Sequence, residues 1–322
     1  MTGSQVQLND PSECIRIATG ARLHFGLIDT AAPFGGAGVM VDQPATEIEV
    51  RPAKRFHVDA PEAELANRVT KIANRLTQFL SRQQPPACSV RVLNRPTAHA
   101  GLGTGTQLAM AVADALVQFT GAKVTNVDLA IAIADRGKRS AVGVHGYFSG
   151  GLIFESAGKN ASELNEIQHR VELPSEWTAV VARNTTSCSA VYGTDEQQQF
   201  SALGGASPDA RDELSQIVAA EMIPAAQSGD FGGFAGAVHR YNYQSGMLFS
   251  PVQGGPYNGP IVFQLVETLI SRGAQGVGQS SWGPSVFSWF KDNESAQQFV
   301  SQWDADEETE FTICRPLNTG QR

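Results

Sequence analysis

The sequence predicts an α+β fold built from two domains. Three observations carry this. Stretches of helical periodicity and stretches of strand-like alternation are intermingled, but in an order with no regular strand–helix–strand repetition, which argues against a doubly wound parallel sheet. A hydrophobic content of 42% over 322 residues is enough for a real core, so disorder is excluded as the main state. The length itself fits two domains or one large one, and the change in element pattern places a boundary near residue 175, dividing 1–175 from 176–322.

Taken in order, residues 13–19 alternate Cys14, Arg16 and Ala18 with Ile15, Ile17 and Thr19 and read as a strand. Gly20 interrupts it, and an extended path continues over 21–28 to the glycine-rich PFGGAGV at 33–39. A second strand is expected at 46–51. Over 62–82, Leu65, Val69, Ile72, Leu76 and Leu80 fall at spacings of 3 and 4, an amphipathic helix. Residues 88–93 form a strand, ended by Asn94-Arg95-Pro96. A glycine loop at 101–105 runs into a helix over 107–120, and Asn126 is placed to cap a helix over 127–137. A second glycine-dense segment, 142–151, leads into a strand at 152–155, followed by a polar loop at 156–166 and a strand at 177–183. The second half reads as helices at 208–227, 230–241, 260–272 and 294–303, with strands at 275–279, 285–289 and 311–315.

Charge narrows the function classes. A net charge of −8 argues against nucleic acid or an anionic membrane as partner. The acidity is concentrated, since residues 292–310 hold seven acids and no Lys or Arg. The rest of the chain is close to neutral, so a small polyanionic ligand is not disfavoured. No uninterrupted apolar stretch approaches the length of a membrane span. The first fifteen residues lack the basic start and apolar run of a secretory signal. Cys14, Cys88, Cys188 and Cys314 form no CxxC pair, so they are expected to be small buried apolar residues in a cytoplasmic protein.

Four segments carry candidate chemistry. In PTAHAGLGTGTQLAMAVADAL (96–116), Gly101, Leu102, Gly103, Thr104, Gly105 and Thr106 precede a helix. Such a loop presents backbone N–H groups at the positive end of the helix dipole, a phosphate cradle. It is neither a Walker motif nor a dinucleotide fingerprint, and a plain packing turn is the alternative. In DRGKRSAVGVHGYFSGG (135–151), Arg136, Lys138 and Arg139 cluster ahead of His145. These cations either complement a helix C-terminus or clamp a phosphate. GVGQSSWGPS (276–285) surrounds Trp282 with small polar residues: a loop over a ligand, or a turn with a buried ring. TGARLHFGLID (19–29) sets Arg22, His24 and Asp29 in an otherwise apolar stretch. No metallohydrolase or serine-hydrolase motif is present.

Together ARLHFGLID, GLGTGTQLAMA, GKRSAVG with SGGLIFE, and GVGQSSWGPS, in that order, resemble the β-ribofuranosylaminobenzene 5′-phosphate synthases, a branch of the GHMP kinase superfamily. The resemblance spans roughly residues 15–285. It implies a GHMP kinase-like two-domain fold, with an N-terminal domain like ribosomal protein S5 domain 2 over 1–175 and a ferredoxin-like C-terminal domain over 176–322. It also implies a reaction. Phosphoribosyl pyrophosphate and 4-hydroxybenzoate (or 4-aminobenzoate) would give an aryl C-riboside phosphate, carbon dioxide and pyrophosphate, in tetrahydromethanopterin biosynthesis. Magnesium is expected, and no organic cofactor. A homodimer is the default assembly.

On this reading the 101–106 loop and Arg22 bind phosphate, while Lys138 and Arg139 neutralise the leaving group. His24 or His99 orients the substrate. Trp282, Phe25, Ser280 and Ser281 line the ring slot, with Tyr147 and Phe148 as further candidate walls. Asp29, Asp114 and Glu155 are the conceivable magnesium contacts. GHMP kinases generally show PxxxGLGSSA where this chain has Thr104-Gly105-Thr106, and many carry an Asp in the segment matching 141–149, where this chain has no carboxylate. A small-molecule kinase of the same superfamily, or a non-catalytic binding protein, are the competing readings.

Overall fold

The structure is a computed structural model that describes residues 14–32, 34–98, 100–156, 163–184, 203–303 and 308–321. His99 and Cys188 lie outside the described residues. In chain order the first half holds β1 (Ile15–Leu27), β2 (Gly36–Pro52), β3 (His57–Asp59), α1 (Ala63–Phe79), β4 (Cys88–Asn94), α2 (Thr104–Thr120), α3 (Asn126–Asp128, continued by the π-helical Leu129–Ala134), α4 (Val142–Ser149), β5 (Leu152–Glu155) and β6 (Ile167–Val171). These strands form one sheet. The long β2 pairs antiparallel with β1 over residues 36–41 and 46–50, while its other edge is shared by β5 near Gly36 and β4 near Pro52. β3 joins β4 in parallel and β6 joins β5 antiparallel.

The second half holds β7 (Thr178–Asn184), α5 (Pro208–Gln216, continued by the π-helical Ile217–Met222 and by Ile223–Ser228), α6 (Phe231–Met247), α7 (Ser250–Gln253), α8 (Gly259–Ser271), β8 (Gln275–Gln279), β9 (Ser285–Phe290), α9 (Asn293–Ser301) and β10 (Thr309–Cys314). Its four strands make an antiparallel sheet in the order β10-β7-β9-β8.

Strand alternation decides which core each residue joins. On β7 and β9, Ala179, Val181, Phe287 and Trp289 face the first sheet and α6, whereas Val180, Ala182, Val286 and Phe290 face α8 and α9. In β1 the ladder slips between Thr19 and Ala21. Gly20 sits at the slip with its backbone against Val41, where an added Cβ would lie 1.9 Å from the carbonyl oxygen. Across the slip one residue of β1, Gly20, stands against four of β2, residues 42–45, and the side chains beyond it join a different core. Ile17 therefore packs beneath α1 and α2, while Ala21, Leu23 and Phe25 join the core shared with the second sheet. Beyond the slip, Arg22 and His24 emerge on the opposite side, toward a cleft.

Several expectations change. α3 is capped by Thr125, whose hydroxyl accepts from the Asp128 N–H, rather than by Asn126, and its last turns are π-helical. The glycine-dense 142–151 contains a helix, because only Gly143 and Gly146 lie within α4, and Gly146 packs closely beneath Met40. β3 and β6 are too short or too polar to read as strands; pairing to β4 and β5 makes them so. Cys88 and Cys314 are buried as expected, but Cys14 is exposed. Glu310, in the acidic segment, belongs to β10 and pairs with Arg183 at 2.7 Å.

Candidate active site

A cleft of about 1210 Å³ opens between the N-terminus of α2, β1, the 135–140 loop and the 281–283 turn. β1 runs along it, so Arg22, His24 and Leu27 are spread over roughly 15 Å at strand rise. The two ends of the cleft differ in chemistry.

One end is cationic. Gly103 adopts a left-handed conformation (φ 67°) as the N-cap of α2, and Gly103, Thr104, Gly105 and Thr106 line the cleft. The first N–H groups of a helix have no intrahelical acceptor, so this end offers donors to an anion. Arg22, Arg68, Arg136, Lys138 and Arg139 surround it. Arg136 reaches back to the Gly105 carbonyl at 3.4 Å. Arg68 makes no ion pair or hydrogen bond among the described residues, and its guanidinium lies 2.9 Å from where a Cβ on Gly105 would sit. Burial, and then Arg95, lower the Arg68 pKa; burial, and then Arg68, lower that of Arg136. Such mutual repulsion is relieved by a bound polyanion. Only two carboxylates, Glu64 and Asp135, line the cleft among the described residues, and Asp135 is held by Arg75 at 2.8 Å and Lys138 at 2.6 Å.

The other end is apolar. Trp282 is buried edge-on against Phe249, with ring centroids 4.9 Å apart, and Leu27, Phe34 and Leu203 complete the patch. Between the ends sit His24 and Ser140, whose Nε2 and Oγ are 3.0 Å apart. Burial, with the Arg22 charge behind it, holds His24 well below the ordinary histidine value, so its imidazole is neutral.

The two halves of the molecule meet at glycines. A Cβ on Gly101 would lie 2.2 Å from the Ser280 carbonyl and 2.9 Å from Gly283 Cα, so the phosphate-type loop and the GQSSWGP turn touch backbone to backbone. Ser280 locks this contact: its hydroxyl donates to the Gly101 carbonyl at 2.8 Å and accepts from the His24 N–H at 3.0 Å. Gln107, from GTGTQ, accepts from Thr19 and donates to the Gly143 carbonyl, both at 2.8 Å, tying α2 to β1 and α4.

The structure therefore gathers Arg22, His24, Gly101, Gly103–Thr106, Lys138, Arg139, Ser281 and Trp282 around one cleft. Others have roles set by burial. Phe25 also lines the cleft, but it is wholly buried, tilted against Phe287 at 5.2 Å and edge-on to Phe234 and Trp289, so its ring packs in the core. Leu102 packs in the same core while its carbonyl accepts from the Arg22 N–H. Ser280 is a fully buried clamp. Tyr147 and Phe148 pack against each other in the core beneath α2.

None of the conceivable magnesium contacts holds that position. Asp114 is buried and accepts from the Tyr147 hydroxyl at 2.9 Å. Asp29 spends its oxygens on the Ala31 and Ala206 N–H groups and on Arg211. Glu155 is buried against the Ala141 N–H, behind the cleft wall. Among the described residues no cluster of three His, Cys, Asp or Glu side chains is placed to hold a metal. Arg136 comes from the 135–151 segment, whereas Arg68 belongs to the cationic end but to no motif: it lies on an amphipathic helix and only tertiary packing aims it at Gly105.

The GHMP kinases N terminal domain model matches residues 67–151, and the GHMP kinases C terminal model matches residues 222–308, together just over half the chain. The β-ribofuranosylphenol 5′-phosphate synthase of Methanothermobacter thermautotrophicus is 28% identical over 296 residues, covering 84% of this chain and 87% of that one. Its counterpart from Archaeoglobus fulgidus is 23% identical, with 85% and 87% covered. The chain belongs to the β-ribofuranosylphenol 5′-phosphate synthase branch of the GHMP kinase superfamily. It is an enzyme of that synthase type.

The superfamily fold extends over the whole chain. Homoserine kinase from Cytophaga hutchinsonii superposes with a TM-score of 0.63 at 17% identity, covering 99% of this chain and 98% of the other. Mevalonate-3-kinase from Thermoplasma acidophilum gives 0.63 at 14% identity, covering 95% and 97%. The α+β, GHMP kinase-like fold expected from the sequence is thus the fold observed. No helix among the described residues is long and apolar enough to cross a membrane.

Proposed function

We propose that this synthase-family chain joins phosphoribosyl pyrophosphate to 4-hydroxybenzoate or 4-aminobenzoate, releasing carbon dioxide and pyrophosphate, as a step of methanopterin-type pterin synthesis. The observation that carries this reading is the two-ended cleft: five cations and a helix N-terminus at one end, an apolar patch around Trp282 at the other. A diphosphate and an aromatic ring are the two substrate parts these ends would recognise.

The chemistry follows from that placement. The anomeric C–O bond breaks toward pyrophosphate, and its growing negative charge meets Arg139, Lys138 and the α2 amides. The substrate is the magnesium complex of phosphoribosyl pyrophosphate. The ring, held against Trp282 and Phe249, attacks the oxocarbenium-like carbon through the position that bears its carboxylate. Carbon–carboxylate cleavage then restores aromaticity. No carboxylate lies in α4, where many GHMP kinases carry their base, and Asp135 is saturated by its two cations, so the cleft is better suited to glycosyl transfer than to activating a hydroxyl for phosphorylation.

The test is incubation of the pure protein with magnesium, phosphoribosyl pyrophosphate and either benzoate. Equimolar pyrophosphate and carbon dioxide are expected. Release of neither, combined with stabilisation by magnesium–ATP and none by phosphoribosyl pyrophosphate in thermal unfolding, overturns the reading in favour of a kinase.

A further inference from the structure

Behind the cleft wall lies a buried acid that the reaction above does not use. Glu155 closes β5, is fully buried, and accepts the Ala141 N–H at 3.0 and 2.9 Å. The Ser140 hydroxyl and the Asn165 side chain also hydrogen-bond to it. Ser140 in turn meets His24 Nε2 at 3.0 Å. A continuous chain Glu155–Ser140–His24 therefore runs from the core to the cleft. His24 Nδ1 bonds no other described residue and is left to the cleft side. The charged and titratable groups facing Glu155 are Arg22 on β1, His145 on α4, whose Nε2 is 3.9 Å away, and Tyr241 on α6. His145 is itself spent on the Asn165 carbonyl at 2.7 Å, and the Tyr241 hydroxyl on the Gly26 carbonyl at 2.9 Å.

A serine hydroxyl between a carboxyl and an imidazole has two consistent hydrogen-bond directions. With Glu155 ionised, Ser140 donates to the carboxylate and His24 donates Nε2–H to Ser140, leaving Nδ1 a bare acceptor. With Glu155 protonated, the acid donates to Ser140, Ser140 donates to Nε2, and His24 carries its proton on Nδ1. The histidine stays neutral in both, as its burial beside Arg22 requires. Burial pushes the Glu155 carboxyl up to about 7, so both forms are populated near neutral pH.

We propose that Glu155 is a buried proton store that sets the tautomer of His24 through Ser140, and that this chain takes up and later returns the hydroxyl proton of the benzoate. This rests on the synthase reading, in which every proton has a stated donor and acceptor. As the ring carbon bonds to the anomeric carbon and the C–O bond to pyrophosphate breaks, the substrate O–H proton passes to His24 Nδ1. The Nε2 proton moves to Ser140, and the Ser140 proton moves to Glu155. The electron pair of the O–H bond enters the ring, leaving a neutral dienone. When the carbon–carboxylate bond breaks, its electrons restore the aromatic ring, the oxygen regains its proton from Nδ1, and each proton steps back. No net proton is consumed. His24 is the catalytic residue here; Ser140 and Glu155 are positioning residues.

Two measurements test this separately from the reaction itself. In protein labelled with 15N-histidine, the His24 nitrogen shifts should report an exchange from Nδ1–H to Nε2–H as pH rises between about 5 and 9, without an imidazolium. In Ser140→Ala that exchange should vanish. A His24 that keeps one tautomer over the whole range, or that titrates to the cation, overturns the store even if the enzyme is a synthase. In kinetics, Glu155→Gln should lower kcat about a hundredfold with KM changed less than about twofold, and should flatten the rise of kcat through neutral pH. An unchanged kcat and pH profile refutes the relay. If the unmodified enzyme releases no pyrophosphate while the tautomer exchange is seen, the synthase reading falls and the Glu155–His24 coupling stands.

Discussion

Replacing Glu155 by glutamine should make the protein more stable at neutral and alkaline pH, and the size of the gain follows from the burial of the acid. The carboxyl is raised from 4.5 to about 7, chiefly by burial. Between these values the folded protein holds a proton that the unfolded chain releases, so stability falls as pH rises through that window and levels off above it. A displacement of this size is worth about 3 kcal/mol. Glutamine has nearly the same shape, its carbonyl oxygen can accept the Ala141 N–H, and it carries no charge. The variant should therefore match the wild type at about pH 4 and exceed it by about 3 kcal/mol at about pH 8.

Urea unfolding of the two proteins at matched pH and ionic strength reads this difference directly. Pairwise comparison cancels groups of opposite sign. Burial opposes ionisation of Asp29, but the Ala31 and Ala206 amides and Arg211 outweigh it and hold its pKa low, so its contribution is lost as pH falls in both proteins alike. Parallel stability profiles would refute the buried, destabilised acid. A gain in stability with a loss in turnover would mark Glu155 as held in place for activity.

Two other predictions concern the cleft. Gly101→Ala forces a Cβ to 2.2 Å from the Ser280 carbonyl at a φ of +82°, which should cost about 3 kcal/mol or more and weaken phosphoribosyl pyrophosphate binding; thermal unfolding as stable as the wild type would show that the glycine contact is slack. Arg139→Ala should lower turnover by about two orders of magnitude or more with an unchanged circular-dichroism spectrum, and Arg68→Ala should weaken pyrophosphate binding about tenfold; normal activity in the first, or unchanged affinity in the second, removes that residue from the anion end.

Much of the fold was legible because period and glycine placement are local properties. The 3-and-4 spacing from Leu65 to Leu76 marks α1, whose buried face is that set with Ala73 and Thr77. The GLGTGTQ and GQSSWGP segments stand out because backbone-to-backbone contact tolerates only glycine, and Gly101 against Gly283 is that contact. Trp282 was legible for the same reason, as the one large ring among small residues.

What stayed hidden depends on which way a side chain turns once the sheets have assembled. Phe25 and His24 are neighbours in one motif, yet alternation packs the first ring into the core and turns the second toward Ser140. Asp29, Asp114 and Glu155 look alike as acids in apolar stretches. Partners far apart in sequence separate them: Arg211 and two amides for the first, Tyr147 for the second, Ser140 and His24 for the third. Arg68 joins Arg136 and the glycine loop only through packing of α1 beside α2. The sequence by itself determined most of the elements, the glycine-rich segments and the family. Only the tertiary structure decided which charges face the cleft and which are buried behind it, because desolvation and hydrogen-bond partners are set by residues that meet across the sheets.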